Sequence, residues 1–157
     1  SYSDLILPIF LIEGKNRKES IKSMPNVYRY SVDKLNSVVT KAIKKGIPMV
    51  ALFPHTNTKK KDEYGTEALN PDNLVCRAIK FIKKRFKNKI GIMSDVALDP
   101  YTSHGHYGLL KKRKILFINI EGFTKKRFFV FCNKASLNYF FFKPFTFDFF
   151  FQIFFYY

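Results

Sequence analysis

The run Ser94–Gly108, SDVALDPYTSHGHYG, collects Asp95, Asp99, Tyr101, Ser103, His104 and His106 behind an apolar segment. Two carboxylates at close range cannot both ionise cheaply unless a cation or a cationic substrate sits between them. Carboxylates beside histidine suit Mg²⁺ or another hard cation, whereas the run holds no thiol for a structural zinc. Each residue also has a plainer use. Asp95 ends the apolar segment and is the strongest candidate for chemistry. Asp99 can equally cap the turn that follows, and His104 and His106 can simply face solvent between their glycines.

The elements in front of this run must position it. DLILPIFLIEG, residues 4–14, is an apolar strand ended by Gly14. A helix is predicted over 31–47, with Ser31 as N-cap and Leu35, Val38, Val39, Ala42 and Ile43 on one face. Lys44 and Lys45 suit its negative end, and Gly46 supplies a left-handed stop. PMVALFP, residues 48–54, reads as a second strand, and residues 55–69 as a polar loop. A second helix is predicted over 70–86, with Asn70 as cap, Pro71 in the first helical position, and an inner stripe of Leu74, Ala78, Phe81 and Ile82. Its lysines should face water. KIGIMSDVALD, residues 89–99, is the third strand. Strand, helix, strand, helix, strand with continuous apolar strands implies an α/β fold around a parallel sheet. In such folds functional groups gather at the carboxyl ends of the strands, where Asp95 falls.

The composition changes after Leu110. Only four of the 19 phenylalanines precede that residue, and the chain ends NYFFFKPFTFDFFFQIFFYY. No helical or strand period survives there. Residues 1–110 therefore read as one folded portion. Residues 111–157 read as a low-complexity, aromatic-rich segment, as a shifted reading frame or read-through of AT-rich DNA would produce. A membrane-associated tail and a divergent domain are the alternatives, although Lys143, Pro144, Asp148 and Gln152 interrupt the apolar run. The formal net charge of +16 raises the alternative of a small basic protein binding nucleic acid or a membrane surface. An AT-rich coding bias toward Lys explains the charge as well, so neither partner is expected. Residues 1–30 show no secretory leader, and Cys76 and Cys132 share no metal or redox spacing, which suggests reduced thiols inside a cell.

The loop DVALDPYTSHGHYG resembles the signature of the porphobilinogen synthase (5-aminolevulinic acid dehydratase) family. The likeness extends, in the family's order, through DLILPIFLIEG, SMPNVYRYSVDKL, GIPMVALFP and GTEALNPDNLVCRAIKFIKKRF, over about residues 4–108. It implies a partial (β/α)8 barrel, here the first three β/α units, in a family that is commonly octameric. It implies an enzyme that condenses two molecules of 5-aminolevulinate into porphobilinogen for tetrapyrrole and heme synthesis. One branch of the family binds a catalytic zinc through three cysteines at positions matching Ala97, Asp99 and Tyr107. Ala97 and Asp99 resemble the other, cysteine-free branch, which tends to use Mg²⁺, while Tyr107 departs from both. By this match Asp95 is the active-site aspartate and Asp99 supports substrate or cation. No organic cofactor is implied. The family's two Schiff-base lysines lie in the later half of the barrel. Lys111, Lys112, Lys114, Lys125 and Lys126 stand in charge clusters without the family's context, so none is carried over. Activity is accordingly not expected of these 157 residues alone. Bacterial or endosymbiont cytoplasm and plastid all suit the AT bias.

Overall fold

Three apolar runs form the centre of the structure. β1 (Ile6–Ile12), β4 (Met49–His55) and β5 (Gly91–Asp95) lie side by side and parallel, with Ile9 opposite Leu52 and Val50 opposite Ile92. The computed structural model describes residues 1–95 and 97–106, with strand segments at 109–111, 114–116, 139–140 and 153–156; side chains are described for 1–94 and 97–106. Parallel neighbours require a crossover, and a helix lies in those from β1 to β4 and from β4 to β5. α1 (Leu35–Lys44) leads into β4, and α2 (Leu74–Phe86) joins β4 to β5. The strand–helix alternation of the sequence is thus an α/β fold.

The core lies between these helices and one face of the sheet. Leu35, Val39 and Ala42 of α1 and Leu74, Ala78 and Ile82 of α2 are buried at helical spacing against Ile9, Leu11, Val50, Leu52 and Ile92. Val38, Ile43 and Phe81 pack at its margin. Gly46 adopts φ +76° after α1, as the predicted stop requires.

Four expectations need correction. Between β1 and α1 the chain forms an unforeseen hairpin, β2 (Lys18–Ile21) against β3 (Met24–Tyr30), and β3 adds to the sheet parallel to β1. Ser31 makes no side-chain cap; its buried hydroxyl accepts from the Arg17 N–H at 2.9 Å and donates to the Arg17 carbonyl at 3.2 Å. The helix proper begins at Leu35, after a 3₁₀ turn over Val32–Lys34. Likewise α2 begins at Leu74, four residues beyond the expected cap. Asn73 caps it, with Oδ1 accepting from Cys76 N–H at 2.9 Å, while Asn70 Oδ1 closes a tight turn by accepting from Asp72 N–H at 3.0 Å. Lastly, not every lysine of α2 faces water, because Lys83 Nζ is buried without a hydrogen-bond partner among the described residues.

The edge of β5 is also occupied. β9 (Ile153–Tyr156) pairs with it antiparallel, with Ile92 opposite Tyr156, and β8 (Tyr139–Phe140) pairs with β9. The sheet order is β2-β3-β1-β4-β5-β9-β8, and β6 (Leu109–Lys111) and β7 (Lys114–Leu116) form a separate antiparallel pair. Most of residues 111–157, Cys132 included, lies outside the described residues. Cys76 is buried and forms no disulfide among the described residues.

Two substitutions test this arrangement by urea denaturation. Asn73→Ala should cost about 1–2 kcal/mol, because it removes a buried cap. Lys83→Met should gain about 1 kcal/mol at neutral pH by removing an unsatisfied ammonium. Burial depresses the Lys83 pKa, so the native state disfavours the proton. That cost is fully present at low pH and is relieved as pH rises toward the ordinary lysine value. The gain from methionine should shrink over the same interval.

Candidate active site

Because β1, β4 and β5 run parallel, the residues that follow them emerge along one edge. Glu13 follows β1, His55 ends β4, and Asp95 ends β5. Glu13 is tied into a charged network. Its carboxylate accepts from Arg77 of α2 at 2.6 Å and from Lys60 at 3.1 Å; Lys60 also reaches Glu67 at 3.1 Å, and Glu67 accepts from Asn70 Nδ2 at 3.1 Å. Burial opposes ionisation of Glu13 more than any other single influence does. The hydrogen bonds and charges of Arg77 and Lys60 together outweigh it and hold the carboxyl below the ordinary glutamate value. The network fastens the 55–69 connection to the ends of β1 and α2.

That connection is more ordered than its polar composition suggests. Asp62 N–H donates to the Tyr101 carbonyl at 3.4 Å and Ser103 N–H donates to the Asp62 carbonyl at 2.9 Å, which makes an isolated parallel bridge between Asp62 and Thr102. The Asp62 carboxylate turns inward on its own segment and accepts from the N–H groups of Tyr64 and Thr66 at 2.9 and 3.0 Å. The Thr66 hydroxyl and these N–H groups hold its carboxyl below the ordinary aspartate range. Gly65 completes the turn at φ +63°, close under the opposite loop: a Cβ there would stand 3.1 Å from Leu98 Cδ2. Ala68, Leu98 and Tyr101 form a small buried cluster across the same contact.

The loop after β5 is organised around Leu98, whose carbonyl accepts from Tyr101 N–H at 2.8 Å and Thr102 N–H at 3.1 Å. Asp99 therefore sits at the head of a closed turn. Its Oδ1 is buried with no hydrogen-bond partner among the described residues. Burial pushes the Asp99 carboxyl above the ordinary aspartate value, against the smaller pull of its own N–H and of the Lys61 charge. The Tyr101 ring turns into the small cluster, away from any role at the surface, and Ser103 is exposed. His104 and His106 stack with ring centroids 5.5 Å apart. His104 Nδ1 accepts from His106 N–H at 3.2 Å, and its Nε2 lies 3.2 Å from the Glu63 carbonyl. Asp95 is the last residue of β5, at the predicted strand end; its side chain and Tyr107 lie outside the described residues. Among the described residues no three His, Cys, Asp or Glu side chains converge on a common metal position.

The site thus joins a half-buried carboxylate, a histidine pair and a turn from another part of the chain. Glu13, Lys60 and Asp62 went unnoticed in the sequence. Asp62 is signalled after the fact by DEYGT, an Asp three residues before a Gly, and Glu13 by its place straight after an apolar strand.

The raised Asp99 pKa gives a signed expectation. Its stabilising, protonated form is fully present below the ordinary aspartate pKa and is lost as pH rises through the higher folded value. Asp99→Asn should therefore raise the Tm of the chain at pH 7 by about 2 °C. The gain should vanish on acidification below about pH 4, as followed by differential scanning calorimetry.

The sequence model of the delta-aminolevulinic acid dehydratase family matches residues 1–124. The delta-aminolevulinic acid dehydratase of Bradyrhizobium diazoefficiens is 54% identical over 113 residues, which is 72% of this chain and 32% of that protein. The protein of the same name from Chlamydia pneumoniae is 39% identical over 138 residues, 88% of this chain and 39% of the relative. Among solved structures, delta-aminolevulinic acid dehydratase (porphobilinogen synthase) from Toxoplasma gondii, in complex with its product porphobilinogen, superposes with a TM-score of 0.78. It has 32% identity over 86% of this chain and 38% of its own. The chain spans about a third of the length of these relatives. With a family match over residues 1–124 of 157, and with the loop and strand order that the likeness rests on in place, the chain belongs to the delta-aminolevulinic acid dehydratase family.

Proposed function

We propose that this chain supplies the carboxylate-bearing portion of a porphobilinogen synthase, the enzyme that joins two molecules of 5-aminolevulinate with loss of water. The single observation that carries the reading is the loop after β5: Asp95 ends the strand, and Asp99 follows with a buried carboxylate oxygen that has no hydrogen-bond partner among the described residues. At neutral pH 5-aminolevulinate carries an ammonium group, a carboxylate and a ketone. An unmatched carboxylate oxygen suits either the ammonium or a cation in its place, and Asp95 suits the handling of a proton at the reacting centre. On this reading β1, β4 and β5 are the strands of the first three β/α units of a (β/α)8 barrel.

The donor set fits a hard cation better than zinc. Mg²⁺ is commonly held by one or two carboxylates and keeps several waters, and Asp99 offers one such oxygen. Ala97 and Asp99 stand where a thiolate zinc would need cysteine. Bound there, Mg²⁺ would supply positive charge beside the substrate's oxygen atoms. The amine nucleophiles are assigned to no lysine of this chain. A homo-octamer, and a cytoplasmic or plastid setting, belong to the same reading. The comparisons lend no support to a small basic nucleic-acid- or membrane-binding protein. No helix among the described residues is long and apolar enough to cross a membrane.

A chimera tests the proposal. Residues 1–106 replace the matching portion of the Bradyrhizobium diazoefficiens relative, and the product is assayed for porphobilinogen formation from 5-aminolevulinate with Mg²⁺. The chimera should be active, and Asp95→Asn in it should lower kcat by about 10²-fold or more. Borohydride trapping should place the substrate adduct on the relative's lysines and on none from this chain. A folded chimera that makes no porphobilinogen with either Mg²⁺ or Zn²⁺ would overturn the reading.

A further inference from the structure

We propose that His104 is a positioning residue and not a metal ligand: it pins the Asp99 loop to the Asp62–Gly65 turn, and so sets where the Asp99 carboxylate points. The assignment follows from the chemistry of its two neighbours. The Glu63 carbonyl, 3.2 Å from Nε2, can only accept a hydrogen bond. The His106 N–H, 3.2 Å from Nδ1, can only donate one. Both contacts hold at once in a single state of the ring: neutral, with the proton on Nε2 and the lone pair on Nδ1. A neutral imidazole has one in-plane lone pair, and His104 spends it inside its own loop. Nothing remains for a metal.

The place of the pin gives it consequence. The Asp62–Thr102 bridge lies beside it, and the Asp62 carboxylate locks the turn that carries Glu63 through the Tyr64 and Thr66 N–H groups. Gly65 lets that turn approach Leu98 and Thr102 where a Cβ would crowd them. Across the contact, the Leu98 carbonyl closes the turn that holds Asp99. Asp99 is therefore held from β5 on one side and, through Tyr101–His104, from the Asp62–Gly65 turn on the other. The orphaned Asp99 oxygen keeps a fixed aim because the far side of its loop cannot swing.

The claim that this aim serves catalysis rests on the porphobilinogen synthase reading. The pin is measured without turnover, so an inactive chimera would overturn that reading and leave the pin standing. Long-range ¹H–¹⁵N correlation on the full 157-residue chain, ¹⁵N-labelled at histidine, reads the tautomers directly. His104 should show one tautomer with the proton on Nε2. His106, whose exposed ring makes no hydrogen bond among those described, should average between two. Addition of ZnCl₂ or MgCl₂ should leave both His104 nitrogens unshifted. A mixed or Nδ1–H tautomer at His104, or a zinc-induced shift of its nitrogens, would overturn the assignment.

Three variants give an independent reading through amide exchange at Thr102 and Ser103. His104→Ala removes both bonds and should speed exchange about three- to tenfold relative to the core amides of β4. His104→Asn keeps an acceptor for His106 N–H but cannot reach Glu63, and should match alanine. His104→Gln can restore a donor toward Glu63 and should recover part of the protection. Wild-type protection in the asparagine variant would show that the bond to Glu63 does nothing. The tautomer measurement uses the unsubstituted chain and decides alone where a variant fails to fold.

Discussion

Everything in this fold depends on parallel pairing at β4. Met49, Val50, Ala51 and Leu52 are all buried, so β4 can exist only with a neighbour on each side and a layer packed over it. β1 and β5 provide the neighbours, α1 and α2 the layer. Parallel register has a second effect, since it brings three strand ends to one edge. Glu13, His55 and Asp95 come to that edge because β1, β4 and β5 pair in parallel, although they are distant in sequence. The site is in this sense a by-product of how β4 must be covered.

Charge on that edge is handled in two opposite ways. Glu13 is surrounded by Arg77 and Lys60 and is held ionised. Asp99 is buried without a hydrogen-bond partner among the described residues for one oxygen, and resists ionisation. A satisfied ion pair of the first kind is scaffolding whose surface-exposed arms contribute little individually. A carboxylate of the second kind lowers stability, and strain of this sort clusters at functional sites.

The sequence made the central elements legible because they obey burial. The apolar runs at 4–14 and 48–54 could hardly be other than strands, the run at 89–99 is a strand only over Gly91–Asp95 before it turns at Leu98, and Leu35, Val39, Leu74, Ala78 and Ile82 kept helical spacing. Where tertiary contacts decided, the sequence was silent. NPDN offers two asparagines as caps, and the choice of Asn73 depends on its burial beneath α2. Ser31 resembles a cap in the sequence because its hydroxyl's partner, Arg17, leads into a hairpin whose exposed, mixed residues show no clean alternation. Asp95 was legible as a strand end and Asp99 as a turn residue. The turn that holds Asp99 was not, because its decisive group is the backbone carbonyl of Leu98, which side-chain identity does not reveal.

The His104–Glu63 contact closes a span of 41 residues that contains all of α2 and β5. Such a contact adds little until β4 and β5 are paired and α2 is docked between them, so the chain must assemble its sheet before it can fasten this loop. The fastening belongs late on the folding route. Interactions formed late are largely missing from the transition state, so they govern how fast the native arrangement is lost and hardly touch how fast it is reached. The loop that carries Asp99 therefore orders after the sheet beneath it and loosens before that sheet loses its pairing.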